Sequence, residues 1–189
     1  AEVLKQHITL YDGKMPLEVY KKGILPARIE LEMIRPWRQY LNEQFNNVLA
    51  ITDYKGIMNW IKENIKVDKD GNYFNCPISP KGVFELKLAD KRSRNIFFVA
   101  ACSSVNIPAY LDNATGQIFV YDCDKWNIVS FETESKPQNT GTLVLNYTDN
   151  TEIMPQYWTH FTIAKFENGD FVTFDFETEP RVAPFPNTL

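Results

Sequence analysis

Apolar and polar residues alternate from Val3 to Tyr11 and the pattern stops at Asp12-Gly13, which predicts a strand closed by a turn. Met15-Pro16 and Leu25-Pro26 mark irregular chain beyond it. From Ile29 the spacing becomes helical. Trp37, Tyr40, Leu41 and Phe45 fall on one face, and Pro36 either opens that helix in its first turn or kinks one begun at Ile29. A second helix is predicted by Ile57, Met58, Trp60, Ile61 and Ile65, with Asp53 as candidate cap and Asp68 to Gly71 as its exit. Asn75 to Gly82, with Pro77 and Pro80, reads as loop.

The next segment has no polar stripe. Ile96-Phe97-Phe98-Val99-Ala100-Ala101-Cys102 is apolar on every side, so a helix here must be buried all round. Asp90 is its candidate cap, and it must end near Asn106 because Pro108 disfavours helix in the residue before it. Strands are expected downstream: Gln117–Tyr121 and Trp126–Glu132 about the turn Asp122 to Lys125, then the alternating Gly141–Tyr147. If Asn168-Gly169 is a two-residue turn, Lys165 faces Val172, Ile163 faces Phe174 and Phe161 faces Phe176 as a core face. His160 then opens its strand across from Glu177 and diagonal to Asp175. These elements predict an α+β fold, with three helices in the first half and the third buried against an antiparallel sheet. The division expected is a core over residues 1–132 and a β extension, or the start of a small β module, over 133–189, with 133–140 as linker.

Composition narrows the function classes. The 189 residues are 44% hydrophobic, enough for a real core, and the net charge of -4 without a long block of one sign gives no field to attract nucleic acid. No apolar run approaches the roughly 18–20 residues that cross a bilayer, so membrane insertion is not expected. The first residues lack the basic start and apolar middle of a signal peptide, and the missing initial methionine suggests a trimmed segment. Cys76, Cys102 and Cys123 stand in three unrelated contexts, neither a disulfide framework nor a zinc spacing, and with only His7 and His160 as imidazoles no metal or other cofactor is expected.

At the third helix the sequence resembles the transglutaminase-like superfamily, which has a papain-like thiol-enzyme fold. There a nucleophilic cysteine opens a buried helix that ends in Gly-Ile-Pro-Ala-Arg; here the ending is Asn106-Ile107-Pro108-Ala109-Tyr110. Lys125-Trp126-Asn127-Ile128-Val129 is similar to the strand that the family begins with Gly-Trp, and the helix around Asn59 to Ile65 also resembles it, so the likeness covers about residues 55–132. The chemistry implied is a thiolate stabilised by a helix N-terminus, a histidine sharing its proton and an acid orienting the imidazole. Counting back from Asn106 by the family's spacing, the cysteine position falls on Lys91, or with a slip of one or two residues on Asp90, Arg92 or Ser93; the histidine position falls on Gln117 and the acid on Ser130, with Glu132 two further on. A substituted triad follows.

The resemblance therefore implies a non-catalytic domain of a larger exported bacterial protein, periplasmic or at the cell surface, with a residual cleft for a polypeptide or glycan. Its candidate binding residues are Lys91, Arg92, Gln117 and Trp126, and its other partners are flanking domains. Cations at Lys91, Arg92 and Arg94 oppose the dipole of the helix they open, so pairing with Asp90, Glu85, solvent or an external carboxylate is expected. Cys102, deep in the apolar helix, reads as a core residue, and Cys123 between two aspartates as a poor nucleophile. The alternative is an active cysteine peptidase or protein-glutamine acyltransferase with a rearranged site, Cys76 or Cys123 working with His160. A purely architectural spacer is the third class.

Overall fold

In the computed structural model, residues 13–68, 71–72, 74, 76–112, 115–132, 157–167 and 170–174 are described. They divide between two compact units, one formed by residues up to Asp112 with Gln117–Phe131, the other by 115–116 and those from Glu132 onward. The first unit runs in the order α1 (Leu17–Gly23), α2 (Arg38–Asn42, widening into a π-helical turn Glu43–Val48), α3 (Tyr54–Asn64), β1 (Lys66–Val67), α4 (Pro80–Leu86), β2 (Leu88–Ala89), α5 (Lys91–Ser104), β3 (Ala109–Leu111), β4 (Ile118–Asp122) and β5 (Lys125–Val129). The described part of the second contains β6 (Ala164–Glu167) and β7 (Asp170–Thr173). Helices share the chain with strands that are antiparallel except for the short parallel pair β1–β2, an α+β fold.

Helix α5 is the centre of the first unit because from Ile96 to Cys102 it has nothing polar to turn outward. Every residue from Ile96 to Ser104 is buried. Trp37, Leu41 and Phe45 pack with it from α2 and its continuation, Ile57 and Ile61 from α3, and Val83 from α4. Phe45, Trp60, Phe84 and Phe97 form an aromatic nucleus, Trp60 stacking on Phe84 with centroids 5.2 Å apart. The sheet β3-β4-β5 is antiparallel, and its core members are Ala109, Ile118 and Val120.

Both ends of α5 are closed by partners distant in sequence. At its C-terminus Asn106 takes a left-handed φ of 66°, Asn106 N–H donates to Ser103 O (3.3 Å) and Ile107 N–H to Cys102 O (2.9 Å), the paired bonds of a Schellman ending. The buried Arg38 donates to Ser103 O (2.6 Å) and to the Ile24 carbonyl, and Asn42 donates to Ser104 O (2.6 Å). Burial lowers the Arg38 guanidinium to about 10. At the crossing of α1 with this ending, a Cβ on Gly23 would lie 2.7 Å from Pro108 Cβ and 2.9 Å from the Ala109 nitrogen, so only glycine fits.

The three expected helices are present as Arg38–Asn42 with its π-helical turn, Tyr54–Asn64 and Lys91–Ser104, and the described residues add two more, α1 and α4. Helix α4 begins in the stretch read as loop: Ser79 accepts from Gly82 N–H, and Pro80 stands in the first turn, where a missing N–H costs nothing. Helix α1, of seven residues, is too short to show a period. Of the two starts expected for α2, the one near Pro36 is close to that observed and the one at Ile29 is not used: the helix begins at Arg38, and the buried Glu32 carboxylate takes the Ile29 and Glu30 amides at 2.7 and 2.9 Å, offering that backbone a non-helical partner.

Cys123 and Asp124, with φ of 52° and 59°, make the two-residue turn between β4 and β5, the mirror-type geometry that strand twist favours. The expected register of the last hairpin is present: Lys165 pairs with Val172, and Phe174 N–H donates to Ile163 O. Its expected core face is not buried, since Lys165 and Val172 are exposed and Ile163 and Phe174 only half-buried. His160 lies in a turn and is exposed, four residues before β6, so it does not open that strand. The strands expected at Val3–Tyr11 and Gly141–Tyr147, the linker at 133–140, and Asp175, Phe176 and Glu177 fall outside the described residues.

Candidate functional site

The site begins with the first turn of α5. Asp90 caps it, accepting from Ser93 N–H (2.9 Å), the Ser93 hydroxyl (2.8 Å) and the Asn72 amide (2.7 Å). Asn72 also donates to Cys76 O and accepts from Cys76 N–H (2.9 and 3.2 Å), and Ile78 N–H donates to Ser93 Oγ at 2.9 Å. The chain around Cys76 is thus laced to the helix start. Burial works to raise the Asp90 carboxyl, but the bonds from Ser93, Asn72 and the Arg92 N–H outweigh it and hold it below its ordinary value.

The three cations of this turn are handled differently. Lys91 is exposed at the first helical position. Arg92 Nε lies 2.7 Å from Glu30 Oε2 in a half-buried pair, a carboxylate that the sequence did not single out, and Glu85 pairs with Lys81. The Arg94 guanidinium stands 4.2 Å above the Phe131 ring.

Phe131 also packs edge-on to Phe98 at 5.4 Å, which brings the end of β5 beside the early turns of α5. In the β4–β5 register Ile118 pairs with Val129 at that same end, and Gln117 and Ser130 are the next residues in the chain outward from this last pair. Lys91, Gln117 and Ser130 therefore belong to one end of the unit. Trp126 does not. It pairs with Tyr121 beside the turn, four residues back along β5 or roughly 13 Å. There it joins a half-buried aromatic cluster with Tyr110 (4.8 Å), Tyr121 (5.2 Å) and Phe119, which stacks on Tyr110 while Lys22 covers the same ring at 4.1 Å.

Among the thiols, Cys102 is fully buried and its pKa is pushed well up, by burial first and then by the charge of Asp53. Cys76 and Cys123 are exposed. Among the described residues no three side chains of the ligating types converge to hold a metal ion, and no helix is long and apolar enough to cross a membrane. No protein-family model, no curated protein and no solved structure matches this chain.

Chemically, the helix start offers the Lys91 ammonium and the Arg92 guanidinium paired with Glu30, and Gln117 and Ser130 add an amide and a hydroxyl, neither of them a base near neutral pH. Glu30 and Asn72, the residues that organise this end, gave no sequence signal because their partners lie 62 and 18 residues away.

Proposed function

We propose that this chain is a non-catalytic member of the transglutaminase-like, papain-like group, a binding or structural domain of a larger exported bacterial protein. The observation that carries the reading is the helix start itself: Lys91 follows the Asp90 cap at the first helical position, and Gln117 and Ser130 flank the last pair of β4 and β5, Ile118 with Val129. Support for the resemblance comes from Asn106. It occupies the place of the motif's glycine and has the positive φ that glycine serves best and asparagine tolerates.

One observation favours the rival reading of an active peptidase or acyltransferase, the Asn72 clamp that ties Cys76 to the α5 start. Alkylation with iodoacetamide near neutral pH separates the two. The non-catalytic reading expects Cys76 and Cys123 to react at the rate of ordinary exposed thiols, Cys102 to react only after unfolding, and His160→Ala to change nothing. A single fast thiol, slowed by His160→Ala, would overturn it.

A further inference from the structure

A groove of about 410 Å³ opens at the other end of the first unit, beyond the C-terminus of α5, and no residue of the helix-start site contributes to it. Its volume falls within the roughly 300–1,000 Å³ typical of ligand pockets. Three walls meet there: the N-terminus of α3 with Asp53, Tyr54 and Lys55, the Ile107–Pro108 exit from α5, and the end of β4 with Tyr121 and Asp122.

Each wall is fixed before any ligand arrives. Asp53 caps α3 through the Gly56 N–H at 2.9 Å, Tyr121 N–H donates to Pro108 O at 2.8 Å, and the Asn127 amide holds Asp122 O at 3.0 Å. The Schellman ending fixes the course of Ile107 and Pro108. Such preorganisation lowers the ordering cost of binding.

The charge and shape select a ligand class. The lining carries two carboxylates, Asp53, one of whose oxygens accepts from Gly56 N–H, and Asp122, with Cys123 Sγ 3.6 Å from its Oδ1, against one ammonium, Lys55, which stands 5.7 Å over the Tyr54 ring. A small anion meets net repulsion. A cation on an aliphatic stem matches every wall, with the stem along Ile107 and Pro108 and the head between carboxylates and tyrosine rings. We propose that this groove binds an arginine or lysine side chain of a polypeptide partner. The inference rests on the binding reading of the domain, and it gives that reading a location away from the residual triad.

The test is calorimetric titration of the whole chain with acetyl-Gly-Arg-Gly-amide and with its citrulline counterpart, which keeps the shape and removes the charge. The arginine peptide is expected to bind at least about tenfold tighter, the effect of one charge-assisted hydrogen bond. Asp53→Asn with Asp122→Asn should abolish the difference while leaving the unfolding midpoint in place, because asparagine caps a helix as well as aspartate does. Lys55→Gln should tighten the arginine peptide. Absence of heat from the arginine peptide, equal affinity for citrulline, or unchanged affinity in the double variant would each overturn the groove assignment. The non-catalytic reading fails through a fast thiol instead, so the two failures are distinguishable.

Discussion

Asp90 shows how much one side chain decides at the head of the central helix. It was legible in the sequence because an acidic residue before a long apolar run is a strong cap signal; that it also gathers Asn72, and through it Cys76, was not. Its folded-state pKa lies below the ordinary value of 3.8, so its ionised form adds stability that is fully present above that value and fades as pH falls through the folded-state value. Asp90→Ala is therefore expected to cost about 1–2 kcal/mol at neutral pH, with the gap to the parent chain narrowing below pH 3.8. Urea unfolding from pH 6 down to about 2.5 checks the convergence, and a gap independent of pH would contradict it.

At the level of elements, the well-read pieces were those with long periods or complete apolar runs, α3 and α5, and the hairpin β4–β5 with its short turn. The misread ones have local causes. Ser79 turns Pro80 from a breaker into a starter, and Glu32 keeps its own segment from coiling while leaving Leu31, Met33 and Ile34 exposed. The ending of α5 depends on a left-handed residue at Asn106. Asn106→Gly is expected to be neutral or slightly stabilising, whereas Asn106→Val should cost about 1–3 kcal/mol, since a β-branched residue resists positive φ. Thermal unfolding of the two variants ranks them, and equal midpoints would show that the ending does not need this conformation.

Across the whole first unit, Lys91, Gln117 and Ser130 could be singled out in the sequence only through the spacing that the proposed family resemblance implies. The groove could not be. It is assembled from residues 52–55, 106–108 and 121–122, of which only Asn106-Ile107-Pro108 belongs to a motif, and it exists only once three separate elements are packed. Arg38 spans comparable distances in the chain, grasping Ser103 on one side and Ile24 on the other. A clasp with two hands cannot be released by fraying at either, so local opening of the α5 tail is suppressed. Deuterium is expected to reach the amides of Val105, Asn106 and Ile107 only when the unit opens globally, and Arg38→Met should let it in early at those three positions while slower sites elsewhere in α5 keep their order.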